Sequence, residues 1–210
     1  MRFVWPLFFG FFSAAIGIAL PGLINMTAAK VSIRDGRDRA LLFVTGAIII
    51  IFFQTLSAIL FARFIDSRPD VVVLLREVGL AIFIALTIYF LFFAKKPKAK
   101  KEEMKMHSKT NRFFLGMLLS ALNFFPVPYY VFVTISLSSY RLFSFDRIAI
   151  ALFLSGVILG SFAVFYYYIS FFKRIEAKTD FFFKNMNQII GAITGIVALI
   201  TMITVIKYYY

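Results

Sequence analysis

Six continuous apolar runs, each long enough to cross a bilayer as a helix, constrain this chain more than any other feature. They extend over Phe3–Ala29, Ala40–Ala62, Val71–Ala94, Phe113 to about Ser138, Ile148–Phe172 and Ile189–Ile206. A hydrocarbon core about 30 Å thick needs about 20 helical residues to span it. Inside lipid every backbone N–H and C=O must be satisfied within the protein, which leaves helices or a closed barrel. A barrel would show alternating segments of about ten residues, whereas these runs are unbroken. The expected fold is therefore an all-α membrane protein of about six transmembrane helices.

Composition agrees. Of 210 residues, 61% are hydrophobic and 16% charged, against about half and a quarter in soluble domains. Six spans use about 120 residues, and the remainder is too short for a second, soluble domain. There is no cysteine, which excludes disulfides, thiolate metal sites and dithiol redox carriers. The net charge of +13 does not point to nucleic acid, because the basic residues fall in short loops rather than in a solvated basic domain. The first run exceeds the apolar core of a cleaved leader, about 7 to 15 residues, and is expected to stay as a span.

The basic residues also set the topology. The first-to-second, third-to-fourth and fifth-to-sixth loops carry sixteen of the 23 Lys and Arg, including Lys173, Arg174, Lys178 and Lys184 in the last of them. The opposite side carries seven. The positive-inside rule then predicts those three loops in the cytoplasm and both termini outside, in the inner membrane of a bacterium. Residues 95–112 form the only long polar stretch, expected as a solvated, flexible linker between a first half, 1–94, and a second, 113–210. The single His107 lies in it with no companion ligands, so no metal and no cofactor are expected.

The two halves resemble one another. Gly10 and Gly116 are each followed by Ser-Ala and then by a proline-bearing break, Pro21-Gly22 in one run and Pro126-Val127-Pro128 in the other. A later run in each half carries Gly46 or Gly156. Halves of three spans insert in opposite orientations, so the pattern predicts an inverted repeat, a plan common in secondary transporters. A proline inside a helix removes a hydrogen bond and clashes with the preceding turn. The freed backbone groups need protein or a wet cavity around them. Polar side chains stand beside both breaks: Asn25 and Thr27 in the first half, Ser120 and Asn123 in the second. Paired interrupted helices of this kind point to a midplane substrate site, and the candidate residues are Pro21, Gly22, Asn25, Asn123, Pro126 and Pro128.

The stretch Pro21-Gly22-Leu23-Ile24-Asn25, followed by Gly36-Arg37-Asp38-Arg39-Ala40 and Gly46, resembles the opening of the LysE/RhtB family of amino-acid exporters. Phe114-Leu115-Gly116, with Leu122-Asn123 and Pro126 beyond, is similar to that family's second-half segment. The resemblance covers nearly the whole chain. Leu23 replaces the second proline of the family's Pro-Gly-Pro, Ala40 replaces a glycine, and two phenylalanines separate Asn123 from Pro126. The resemblance implies an exporter of an amino acid or small amphipathic metabolite, driven by the proton gradient, with lipid and a small-molecule substrate as partners and a homodimer as a possible assembly.

All ten Asp and Glu lie in loops or at span ends, whereas intramembrane proton relays usually place such residues deep in a span. If coupling exists, Asp35, Asp38, Glu77 and Asp146 at the interfaces are its candidates, and charge balance with Arg34, Arg37, Arg76 and Arg147 is the favoured reading of them. A divalent-ion exporter would need grouped hard or imidazole ligands in the bilayer, and the runs hold none. An enzyme would need a mid-span base or acid beside Ser13, Ser57 or Ser120, which is also lacking. The other alternative is a structural or assembly membrane protein without transport.

Overall fold

The computed structural model describes residues 4–19, 22–94 and 109–209. All regular elements among them are helical: α1 (Val4–Ala19), α2 (Leu23–Asp35), α3 (Arg37–Asp66), α4 (Pro69–Ile88, ending in a π-helical turn, Tyr89–Phe93), α5 (Lys109–Ala121), α6 (Pro126–Ser139) and α7 (Arg147–Tyr209). The chain is a multi-pass membrane protein by its apolar helices. Among the described residues, Arg37–Asp66 and Arg147–Phe171 are each long and apolar enough to cross a bilayer, and the count reaches four if each bent pair, α1 with α2 and α5 with α6, is one span. The apolar helices at Gly79–Phe93 and Thr194–Ile206 are shorter.

Helices end at both of the stretches where the sequence predicts a break. α1 stops at Ala19, and α2 starts after Gly22 at an angle of 79°. α5 stops at Ala121, and Pro126 occupies the first turn of α6, bent by 61° from α5. Proline suits that first turn because its missing N–H has no helical partner there anyway. One expectation needs correction. Residues 173–188, expected as a loop between two spans, are helical and continue α7. The stretch contains no Gly or Pro to stop a helix; the break falls instead at Phe171, whose φ of −118° and ψ of 19° are non-helical, so α7 is two helices joined across a kink.

The chain divides into two compact units, 1–64 with 104–175, and 65–103 with 176–210. Each combines pieces of both sequence halves. In the first unit, α1 lies on α7 and α5 lies on α3 through glycines. A Cβ on Gly10 would stand 2.1 Å from the Phe153 carbonyl oxygen, and one on Gly156 would stand 2.1 Å from that of Leu7. A Cβ on Gly116 would meet the Phe43 oxygen at 1.9 Å, and one on Gly46 the Phe113 oxygen at 2.2 Å. These approaches are open only to glycine, and small residues let helices pack closely where lipid offers no hydrophobic drive. In all four cases the glycine meets the residue three positions before the opposing glycine.

Contacts within this unit also give the helix directions. The end of α2 and the start of α5 meet through Asp35 and Arg112. Arg37, at the start of α3, hydrogen-bonds Tyr166 far along α7. At the other end, Gly10 of α1 lies against Phe153 early in α7, and Phe143, just after α6, packs on the same Phe153 ring. α1 therefore runs with α7 away from one end, while α5 runs with α3 towards it. The polarity is that of a membrane protein. Ser13, Asn25, Thr55, Ser120, Thr134 and Ser161 are buried, while Phe12, Ile16, Phe53, Leu60 and Phe61 are exposed, as expected when the outer solvent is lipid.

The second unit is smaller. In it Thr87 Oγ1 donates to Thr194 Oγ1 at 3.0 Å, and Gly191 and Gly195 lie against Leu91 and Thr87.

Candidate functional site

Both breaks open onto one cavity of about 370 Å³ inside the first unit. Its wall combines the end of α1 (Gly17, Ile18), the first turn of α2, the end of α5, the start of α6, Ile51 of α3 and Phe165 of α7. The volume lies at the lower end for small-molecule sites. Neither α2 nor α6 has a side chain capping its N-terminus. Such helix starts carry a partial positive charge; α2 also presents unused N–H groups, whereas Pro126 and Pro128 leave the first three positions of α6 with the Val127 N–H alone.

The breaks free carbonyls, and each acquires donors. At the first, Asn25 Nδ2 donates to the Ile18 oxygen at 2.5 Å, and the Tyr168 hydroxyl donates to the Ala19 oxygen at 2.8 Å. At the second, Gln54 Nε2 donates to the oxygens of Ser120 (3.1 Å) and Asn123 (2.9 Å). Tyr129, at the start of α6, donates its hydroxyl to the Ser13 oxygen at 2.7 Å. Gly17 leaves room for this ring: a Cβ there would stand 3.0 Å from it.

Of the six residues singled out by sequence, Gly22, Asn25, Asn123 and Pro126 line the cavity. Pro128 is exposed and is not in its wall. Pro21 lies outside the described residues, as do His107 and the linker up to residue 108. Of the neighbouring polar residues, Thr27 donates within its own helix to the Leu23 oxygen. Ser120 is fully buried, and its Oγ makes no hydrogen bond. The two asparagines differ. Asn25 is buried at 4% exposure and hydrogen-bonded. Asn123 is partly exposed, with Oδ1 accepting the Phe125 N–H at 3.4 Å.

Sequence reasoning missed Tyr129, Tyr130 and Phe165, because aromatics within an apolar run read as lipid-facing. It gave no role to Gln54 either. A lone amide deep in a span was the available signal, since such a group needs partners there.

The carboxylates also depart from expectation. Asp35 pairs not with Arg34 but with Arg112 of α5, at 2.6 Å with both side chains largely buried. It is a close charge contact without an aligned hydrogen bond, since Asp35 Oδ2 and Arg112 Nε both lack one. Asp146 does not pair with Arg147 but caps α7. Its Oδ1 accepts the Ala149 N–H at 2.9 Å, and Ser144 donates to its Oδ2. Those hydrogen bonds, first that from Ser144, hold its carboxyl below the usual carboxylate range. Asp38 and Glu77 are exposed.

With this geometry in hand, the family model described as LysE type translocator matches residues 15–204. The chain belongs to the LysE type translocator family. The match spans both breaks, the cavity and α7. It supports a membrane transporter with a small-molecule substrate. No curated protein and no solved structure matches the chain.

Proposed function

We propose that this LysE-type translocator exports an amino acid or similar small amphipathic metabolite across a bacterial inner membrane. Its six spans form two inverted three-helix halves, with both termini outside and the 95–112 linker in the cytoplasm. Substrate binds in the cavity between the two breaks, against Gly22, Asn25, Asn123 and Pro126, with Pro21 and Pro128 setting the breaks.

The observation that carries this reading is the convergence of both interrupted helices on a single cavity, the arrangement by which transporters build midplane sites. The opposed directions of α1 and α5, and the matched register of their glycine crossings, support the inverted halves. An amide can donate to a carboxylate and accept from an ammonium, as a zwitterion requires.

The test is export by cells, or flux in proteoliposomes, of Asn25→Ala and Asn123→Ala at matched amounts of folded protein. Loss of a substrate-contacting amide is expected to weaken apparent affinity about 5- to 150-fold, equivalent to about 1–3 kcal/mol. Near-normal transport by both variants would place the site elsewhere.

A further inference from the structure

We infer that the cavity selects net-neutral amino acids with apolar or aromatic side chains and rejects those carrying a third charge. This rests on the transporter reading of the same cavity and adds its substrate class.

The first observation is what the wall lacks. Its described side chains offer amides and phenols but no carboxylate and no cation. Asp35 and Arg112, nearly buried, offset one another's charge and take no part in the wall. An α-carboxylate and α-ammonium compensate one another within one molecule, so a zwitterion needs only dipoles from its site. The side-chain ammonium of lysine, or the second carboxylate of glutamate, has no internal partner. Stripping its water inside a membrane protein without a counter-charge is costly.

The second observation is how little polar capacity remains. The Tyr129 hydroxyl is committed to the Ser13 carbonyl, and the Asn25 amide nitrogen to that of Ile18. The Asn123 amide nitrogen makes no hydrogen bond among the described residues, and the uncapped start of α2 adds backbone donors. With the Tyr130 hydroxyl, that supply serves one amino-acid head and leaves little for a polar side chain.

The rest of the wall is apolar and aromatic. Phe125 stacks on Tyr129 with ring centroids 5.7 Å apart, and Phe165 and Tyr130 also line the cavity. A ring face can hold an ammonium, but the α-ammonium of every amino acid competes for that place. The volume, about 370 Å³, lies within the range of small-molecule sites. That is room for a molecule the size of phenylalanine.

The experiment is counterflow in proteoliposomes holding the full chain, with labelled L-phenylalanine, L-leucine, L-lysine and L-glutamate. Phenylalanine and leucine are expected to exchange at least tenfold faster than lysine or glutamate. Ile51, buried in the cavity wall on α3, provides a second arm. Ile51→Glu supplies the missing counter-charge and should raise the lysine-to-phenylalanine ratio at least tenfold, whereas Ile51→Gln, of the same shape, should not. Lysine or glutamate exchanging as fast as phenylalanine in the unaltered protein overturns the charge rule and leaves the transporter reading standing. No exchange of any of the four, in vesicles where a control carrier works, overturns the amino-acid reading itself.

Discussion

At the break between α1 and α2 a freed carbonyl is held by Asn25, seven residues further along the same chain segment. At the break between α5 and α6 the carbonyls of Ser120 and Asn123 are held by Gln54, from a different helix. The glycine crossings beside these breaks behave otherwise. Gly10 on Phe153 and Gly116 on Phe43 repeat the same residue type in the same register. A close helix crossing accepts only one side chain, none at all, so both halves carry glycine. A freed carbonyl accepts any donor that reaches it, so the two halves solve that need with unlike residues. Where the halves differ is therefore where they can act differently.

The junctions between halves show the largest difference. α2 is tied to α5 by the charged pair Asp35 and Arg112, whereas α6 reaches α1 through the neutral bond from Tyr129 to Ser13. Removing one member of a buried ion pair strands the other charge. Asp35→Asn is expected to cost about 3 kcal/mol. Tyr129→Phe, which leaves only a carbonyl unpaired, should cost about 1 kcal/mol. Thermal unfolding in detergent measures both, and equal losses would erase the distinction between the junctions.

The crossings provide the next test, of what the halves share. Alanine at Gly116 or Gly10 places its Cβ about 2 Å from a backbone oxygen, so the helices must separate. A loss of about 1–3 kcal/mol is expected at each, and of similar size at both. Gly79 has nothing within 4 Å of the added carbon, and there alanine should stabilise the helix by up to about 1 kcal/mol. A Gly10 variant as stable as the parent, beside a damaged Gly116 variant, would end the claim that the two crossings are equivalent.

What the sequence made legible follows the same division. Runs of apolar residues and proline breaks could be read, because each is a local constraint, whereas the four glycines were read only as marks of a repeat, since the fold decides what crosses them. The partner of Asp35 could not be read, since charge balance with adjacent Arg34 was the favoured reading and only the fold brings Arg112 near. Tyr129, Tyr130 and Phe165 were hidden for another reason. In a chain with 29 phenylalanines and 10 tyrosines, an aromatic in a span carries no mark of whether it faces lipid or a cavity. The helical 173–188 segment was misread because its charges suggested a loop, although charged residues such as Lys and Glu are good helix formers.

The asparagines offer the sharpest functional contrast between the halves. Asn25 holds a carbonyl of its own break, so Asn25→Ala should lower stability by about 0.6 kcal/mol, the average for an amide bond in membrane bundles, as well as transport. Asn123 keeps its amide nitrogen unused among the described residues, and its alanine variant should lose transport with unfolding unchanged. Paired flux and thermal-melt data decide this, and a destabilised Asn123→Ala would assign that amide to the scaffold.

The smallest effect concerns the link into the long helix of each half. α2 passes into α3 through Gly36 alone, at φ +93°, in the left-handed region that suits glycine. α6 passes into α7 through a longer loop that ends on Asp146, the cap of α7. An acidic cap also favours the positive end of the helix. The Asp146 carboxyl is held below the usual carboxylate range, so the unfolded chain takes up its proton first as the pH falls. The stabilisation is thus complete above the ordinary carboxylate pKa and is lost as the pH drops through the lowered one. Asp146 is exposed, so Asp146→Ala should cost no more than about 0.5–1 kcal/mol at neutral pH. The difference from the parent should shrink towards zero in strong acid. Asp146→Asn keeps a capping oxygen and should retain most of the stability while losing that pH dependence. Melting temperatures of the three proteins from neutral pH into the acid range measure this, and a penalty for Asp146→Ala that stays constant across the range would show that the carboxylate charge plays no part in starting α7.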